Sequence, residues 1–463
     1  MAVSLSVKGR NCVVVGANAS GAALAKFLFK KGAQVSLVDG GNFDAAQAYL
    51  SDKLDLTKVR LEVGEFNPQT FEQSTLIVVG QGIPLDLKIL EVARNAGIPV
   101  YSELEFFSLF VEEPIIAGAG TNGKSTTAYI LKTFLEAAGK TVFSNYNQPL
   151  SEYLNQSKAV DYLVLTTNSF QLEGLQHFKP KMVLFLNLSE DHLNRYPNFE
   201  TYLAANREVL KNLDAESICV LNAQDPHIAN LSSHLPSKNL FFSSQALPEG
   251  IDGGRVQKNE LTLKLASLLE PVKYDLTMCR LRGAHNRENF MAAALAAHTL
   301  GVSEDIIRGC IELLRAVPHR LQFAKRINSV AFYDDSCASN PQAVIKSLQA
   351  FAEPIILISG GRDKNADYTS LTTHIRQRVK NLILVGEAKE KMNRMLGDFT
   401  ETFLVGTMEE AVLLAYQKSR SGDVVLLSPS ADSSDSYSSH EERGDQFQKL
   451  VQQISQPRKP NVI

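Results

Sequence analysis

Gly118-Ala119-Gly120-Thr121-Asn122-Gly123-Lys124-Ser125 is the stretch that decides how the rest of this 463-residue chain is read. A glycine, four residues and then Gly-Lys-Ser is the P-loop spacing. Its surroundings suit it, with the apolar run 115–117 before it and a helical pattern from Lys124 to about residue 138 after it. Glycines let successive N–H groups turn inward around phosphate oxygens, where larger side chains would crowd the turn. The helix that starts at Lys124 brings the positive end of its dipole to the same place. Lys124 supplies a mobile charge for β- and γ-phosphates, and Ser125 a hydroxyl for Mg²⁺. A turn that merely capped a helix would not need lysine followed by serine. The loop therefore predicts ATP binding, with Gly120, Thr121, Asn122, Gly123, Lys124, Ser125 and Thr126 around the phosphates.

Outward from the loop, short β-branched runs alternate with helical stretches. Residues 11–15, 35–38, 76–79 and 98–100 read as buried strands, with helices over 22–31 and 87–96. Past the loop come strand candidates at 162–165, 182–186 and 218–221, then a helix from Asn286 through Ala297. After the break at Ala316-Val317-Pro318, runs at 330–333, 355–359, 381–385 and 424–427 form another strand series. Such alternation implies parallel sheets with helices on their faces. The length exceeds one ordinary core and suits about three domains of about 150 residues. The fold class is thus α/β with three domains, 1–108, 109–317 and 318–463: Rossmann-like, P-loop ATPase-type and Rossmann-like. The segment 428–439, with seven serines in twelve residues, follows a buried strand, which is where α/β domains place binding loops.

Hydrophobic residues make up 44% and charged residues 21%, as in an ordinary globular protein. A net charge of −3 gives no global basic field for nucleic acid or an anionic membrane, so the partner is expected to be small. No apolar run approaches the length needed to cross a bilayer. Five scattered cysteines without a C-x-x-C pair suit reduced thiols in a cytoplasm better than disulfides or a zinc site. Near the start, Gly16-Ala17-Asn18-Ala19-Ser20-Gly21 is close to a dinucleotide fingerprint but carries Asn18 where the middle glycine belongs. Asp39, ending the second strand, is placed to hold a ribose hydroxyl. Taken alone, this domain leaves two readings open: a nicotinamide oxidoreductase, or a module that binds a nucleotide-tagged substrate.

The later landmarks point further. They are Ser169-Phe170-Gln171-Leu172, Glu190-Asp191-His192-Leu193-Asn194-Arg195-Tyr196-Pro197 and Gly283-Ala284-His285-Asn286-Arg287-Glu288-Asn289. Pro318-His319-Arg320-Leu321, Asp335-Ser336-Cys337-Ala338-Ser339-Asn340 and Gly360-Gly361-Arg362-Asp363-Lys364 follow, then Leu427-Ser428-Pro429 and Glu441-x-Arg443-Gly444. In this order, over nearly the whole chain, they resemble the Mur ligases, in the branch that adds D-glutamate to UDP-N-acetylmuramoyl-L-alanine. The resemblance implies ATP-dependent amide formation through an acyl phosphate in peptidoglycan precursor synthesis, by a cytoplasmic monomer that uses Mg²⁺. It implies a UDP-substrate domain over 1–108, an ATP domain over 109–317 and an amino-acid-binding ligase domain over 318–463.

By the same resemblance, Lys124, His192 and Lys364 are catalytic, and Ser125 and His192 are metal ligands. Asn286, Asn289, Arg320 and Asp335 contact the adenine nucleotide. Gly16, Ser20, Asp39 and Gly82 hold the uridine diphosphate, and Ser339, Ser433 and Tyr437 shape the amino-acid site. The chain also departs from the family pattern. Thr166 stands where the family has a Mg²⁺-binding glutamate, Asn206 where it has a carbamylated lysine, and Cys337 where it has a lysine near the amino acid. Ser144-Asn145-Tyr146-Asn147 and Gln81 also differ from the family's turns. Two expectations follow: a ligase with a rebuilt metal site and activity impaired by Thr166, Asn206 and Cys337, or a degenerate ATP-binding relative that acts as an interaction or regulatory module.

Overall fold

The computed structural model describes residues 5–193, 195–363 and 365–454. Three sheets follow one another along the chain. The first is fully parallel, and its spatial order is Arg60–Val63, Gln34–Asp39, Asn11–Val15, Leu76–Val79, Val100–Ser102. The order reverses between Asn11–Val15 and Leu76–Val79. A parallel sheet opens a crevice beyond its carboxyl ends at such a switch point. The turns at Gly16 and at Gly80-Gln81-Gly82 leave these two strands, so both lie at that crevice.

The middle sheet has nine strands. Ile115–Ala119, the strand feeding the P-loop, lies between Met182–Phe185 and Tyr162–Thr166. Residues 166 and 187 therefore flank the loop from the two neighbouring strand ends. The helix Lys124–Ala137 packs on the helix Ala284–Thr299, with Phe134 edge-on to Phe290 at 5.3 Å between ring centroids. Every residue from Phe290 to Ala297 is buried, because the alanines let this helix approach its neighbours closely. Gly253–Gln257, Glu260–Lys264 and Val272–Asp275 add an antiparallel extension that the strand pattern above does not contain.

In the third sheet the order is Gln322–Ile327, Val330–Asp334, Val424–Leu427, Ile355–Gly360, Val379–Val385, Glu401–Leu404. Only the first pair is antiparallel. Val330–Asp334, Val424–Leu427 and Ile355–Gly360 are adjacent and parallel. Three motifs far apart in sequence, opening at Asp335, Ser428 and Gly361, thus emerge at one edge. Among the described residues, no helix is long and apolar enough to cross a membrane.

Candidate active site where three sheets meet

The P-loop backbone is set by its glycines. Gly120 (φ +117°) and Gly123 (φ +90°) adopt left-handed conformations. A Cβ on Gly120 would lie 2.5 Å from the Asn187 carbonyl oxygen, and one on Gly123 would lie 2.3 Å from Asn289 Oδ1. Asn187 clamps the loop from the neighbouring strand end. Its Oδ1 accepts from Asn122 N–H (2.9 Å), its Nδ2 donates to the Asn122 carbonyl (2.8 Å), and its own carbonyl accepts from Thr121 N–H (2.8 Å). Thr121 Oγ1 lies 2.9 Å from the Tyr202 hydroxyl and donates to the Ser189 carbonyl (3.1 Å). Lys124 curls back over the loop, its Nζ donating to the carbonyls of Gly120 (2.6 Å) and Thr121 (2.9 Å). Burial pushes the Lys124 ammonium down to about 8; nearby Arg320 adds to the push and Asp191 opposes it. A phosphate placed against this lysine restores its charge.

The third sheet reaches over this loop. Arg320 stands between His319 (φ +60°) and Leu321 (φ +46°), two positions in a conformation that non-glycine residues rarely adopt. The turn is held by His319 Nδ1, 2.8 Å from Asp334 Oδ2, and by Leu321 N–H donating to Asp335 Oδ1 (3.1 Å). Hydrogen bonding to Asp334 raises the His319 pKa despite partial burial. So held, Arg320 donates through Nη2 to Ser125 Oγ (3.3 Å), across the boundary between the two sheets. Asn340 makes a second crossing, donating to Asp191 Oδ2 (3.1 Å).

Beside the loop, a small pocket is lined by Thr126, Asn286, Asn289, Arg320, Asp335 and Ser347. Asn289 Nδ2 donates to Asn286 Oδ1 (3.1 Å), and Asp335 Oδ2 accepts from the hydroxyls of Ser347 (2.6 Å) and Ser428 (2.8 Å). Burial pushes the Asp335 carboxyl up to about 6. A larger cleft of about 650 Å³ opens on the other side of the loop. Gln81 from the first sheet, Ser125 and His192 from the second, and Arg320, Ser339 and Ser433 from the third all line it. His192 stands at φ +54°, its ring edge-on to Phe170 at 5.7 Å. The arrangement can hold a nucleoside triphosphate by its phosphates and present the terminal one to groups arriving from two other domains.

Comparison with known proteins matches residues 10–102 to the MurD-like N-terminal domain of Mur ligases, 119–297 to the Mur ligase middle domain and 319–431 to the Mur ligase glutamate ligase domain. The UDP-N-acetylmuramoylalanine–D-glutamate ligase of Bdellovibrio bacteriovorus is 40% identical over 457 residues, covering 97% of this chain and 98% of that protein. The chain belongs to the Mur ligase family. The Geotalea daltonii protein of the same name is 36% identical over 455 residues, 97% of this chain and 99% of its own length. Among solved structures, the UDP-N-acetylmuramate–alanine ligase of Thermotoga maritima shares the fold at 18% identity (TM-score 0.61, 96% of this chain, 99% of that one). The MurF ligase of the same organism, solved with ADP, does so at 16% identity (TM-score 0.58, 98% of each chain).

On this Mur ligase scaffold, the residues expected at the ATP phosphates and at the adenine nucleotide line one continuous region. Ser339, Ser433, Cys337 and His192 face the larger cleft. Lys364 lies outside the described residues. Tyr437 is not among the cleft-lining residues; its hydroxyl bonds to Gln446, because the serine-rich loop folds back on the helix His440–Ile454. At the first sheet, Gly16 (φ +110°) and Gly82 (φ +87°) shape the two turns, and Ser20 Oγ accepts from Gln81 N–H (3.3 Å). The Asp39 carboxylate accepts from Ala17 N–H (2.7 Å) and Gly41 N–H (2.8 Å) and so braces the turn at the end of its strand. Asn18 caps the helix Ala19–Lys30 through Gly21 N–H (3.1 Å) and donates to the Gln81 carbonyl (3.2 Å). Its side chain joins the two turns where a dinucleotide fold leaves glycine-wide space, which disfavours the nicotinamide reading.

The departures are also built in. Thr166 N–H (2.7 Å) and Oγ1 (3.2 Å) both donate to Asn145 Oδ1, and Asn145 Nδ2 returns a bond to the Thr166 carbonyl (3.0 Å). Asn206 is fully buried, with its Nδ2 on the Tyr202 carbonyl (2.9 Å) and its Oδ1 without a hydrogen-bond partner among the described residues. Cys337 borders both the cleft and the nucleotide pocket, and burial pushes its thiol up to about 12, so it brings no charge. Asn187 and Asn340 carried no recognised role in the sequence. Asn340 stood within a quoted motif, whereas Asn187 gave no local signal.

Proposed function

We propose that this Mur ligase uses ATP to join D-glutamate to UDP-N-acetylmuramoyl-L-alanine, a step of peptidoglycan precursor synthesis, as a cytoplasmic monomer. The observation that carries the reading is the crossing of Arg320 onto Ser125 at the floor of a cleft bordered by all three domains. The names of the full-length relatives support the choice of substrates. Residues 1–108 take the nucleotide sugar at the Gly16, Ser20 and Gly82 turns, residues 109–317 take ATP, and residues 318–463 take the amino acid at Ser339 and Ser433.

The substrate carboxylate attacks the γ-phosphorus, the bond to the ADP oxygen breaks, and an acyl phosphate forms. The amine of D-glutamate then attacks the acyl carbon, inorganic phosphate leaves, and the amine loses a proton. Negative charge grows on phosphoryl oxygens in the first step and on the acyl oxygen in the second, so cations fixed beforehand lower both barriers. Lys124 and the loop N–H groups hold the phosphates, Arg320 neutralises them from the opposite wall, and His192 stands by the reacting carboxylate. Asn286, Asn289 and Asp335 hold the adenosine, and Lys364 takes the amino acid's carboxylate. Bound Mg²⁺ would neutralise charge on the transferring phosphoryl group. Ser125 suits such an ion beside the phosphates. A second ion on His192 does not fit, because Thr166 is tied to Asn145 and Asn206 is buried and neutral.

Phosphate release that requires ATP, UDP-N-acetylmuramoyl-L-alanine and D-glutamate together tests the reading; none under any Mg²⁺ or Mn²⁺ concentration would end it. The same locked Thr166 and Asn206 favour a second reading, an ATP-binding module with little turnover, which turnover on the order of 1–10³ s⁻¹ would rule out.

A further inference from the structure

We propose that Asp191 is the carboxylate through which this chain grips the divalent cation of its nucleotide, and that the cleft holds one such cation, delivered with the nucleotide. The inference rests on the reading of the P-loop as an ATP site. Asp191 lines the cleft beside the loop with only 11% of its side chain exposed. His192 N–H donates to its Oδ1 (2.8 Å) and Asn340 Nδ2 to its Oδ2 (3.1 Å). The same Asn340 nitrogen lies 3.5 Å from Asn122 Oδ1, which sets the carboxylate against the phosphate cradle. Its Oδ2 is 3.9 Å from His192 Nε2, and its charge is felt by Lys124.

A carboxylate in that position conflicts with a triphosphate. Both are anionic and would share one cleft, where repulsion is screened less than in bulk water. A cation between them converts the conflict into attraction, as when Mg²⁺ is bound by one or two carboxylates together with substrate phosphates. Ser125 and the triphosphate complete the oxygen set on the loop side.

The other nearby carboxylates are paired with a basic side chain or open to solvent. Glu173 accepts from Arg195 Nη2 (2.7 Å) and the Tyr196 hydroxyl (2.6 Å), Glu190 is exposed, and Glu441 lies 3.1 Å from His440 Nε2 on the opposite wall. Among the described residues, no group of three or more His, Cys, Asp or Glu side chains could hold a metal ion. Asp191 alone therefore lacks the donors to retain a cation before the nucleotide supplies its own oxygens, and nothing at Thr166 or Asn206 adds charge for a second one.

The test is Mn²⁺ titration of the full-length protein followed by electron paramagnetic resonance, with and without the non-hydrolysable analogue AMP-PNP, on wild type, Asp191→Asn and Asp191→Glu. Asparagine keeps an oxygen for His192 N–H but sets an N–H group against Asn340 Nδ2, so thermal melting checks the fold and Asp191→Glu, which keeps two acceptor oxygens, separates charge from packing. The expected result is no tight Mn²⁺ without nucleotide and one per protein with it. Asp191→Asn should weaken Mn²⁺ in the nucleotide complex about tenfold or more, and Asp191→Glu should restore much of the loss. AMP-PNP binding in EDTA should be no weaker in Asp191→Asn than in wild type. Two Mn²⁺ per nucleotide in wild type, tight Mn²⁺ without nucleotide, or unchanged Mn²⁺ affinity in Asp191→Asn overturns the proposal. Wild type that fails to bind AMP-PNP even in EDTA overturns the ATP-site reading itself, a distinguishable result. Should Asp191→Asn fail to fold, the wild-type stoichiometry still decides.

Discussion

Replacing Asn187 by alanine removes a clamp that touches no expected substrate, and so isolates what loop pre-organisation contributes to nucleotide binding. Two side-chain hydrogen bonds disappear, at 2.9 and 2.8 Å, both to the backbone of Asn122. A neutral hydrogen bond contributes about 0.5–1.5 kcal/mol net, so the pair holds the loop by about 1–3 kcal/mol. If the released loop must be reordered by the incoming phosphates, that energy is taken from binding, and affinity falls about 5- to 150-fold. The main-chain bond from Thr121 N–H to the Asn187 carbonyl (2.8 Å) remains, which favours the lower part of the range. Fluorescence titration with a labelled ADP reads the loss, and calorimetry with the nucleotide sugar serves as control, since that ligand is assigned to the first sheet. Asn187→Asp is expected to bind worse than its single lost donor implies, because it sets an anion beside the phosphates. ADP affinity within twofold of wild type in Asn187→Ala would refute the idea that this side chain pre-forms the loop.

Other expectations follow the same logic. Asp39→Ala removes the acceptor for Ala17 and Gly41 N–H; KM for the nucleotide sugar should rise about tenfold in steady-state assays while ADP affinity stays unchanged, and an equal loss of both would contradict the domain assignment. His319 has a pKa raised above its ordinary 6.5 by Asp334, so its charged pair contributes stability that is fully present below about pH 6.5 and is lost as pH climbs through the higher folded value. The difference in Tm between wild type and His319→Asn should therefore shrink from pH 6 to pH 9; a gap that widened would mean the ring is neutral when folded. Glu173→Gln leaves the half-buried Arg195 guanidinium without its carboxylate and should cost about 1–3 kcal/mol in urea unfolding, with kcat falling more than ADP affinity as the His192 loop loosens.

Strand–loop–helix at the P-loop was legible because three independent signals coincide there: an apolar run, glycines followed by Lys-Ser at the P-loop spacing, and a helical repeat. The division into three α/β units was legible for a similar reason, since fully buried parallel strands read as continuous apolar runs. Strands such as Arg60–Val63, Glu260–Lys264 and Gln322–Ile327 lack such runs, lie toward sheet edges and carry charges, so they escaped. At the site, the expectations attach to residues that a motif announces. Asn187 meets the loop only because its strand ends beside it in space, 65 residues from its partner Asn122. Asp39 was expected at a ribose from its place at a strand end; that its oxygens also accept from Ala17 and Gly41 N–H could not be read from spacing.

The most direct test of the ligase reading is a coupled phosphate-release assay on the purified full-length chain with ATP, UDP-N-acetylmuramoyl-L-alanine and D-glutamate, omitting each in turn. Release that collapses on any single omission, with the amide product seen by mass spectrometry, is the expected result. ATP that binds at the loop yet yields neither phosphate nor amide with all three present would contradict it.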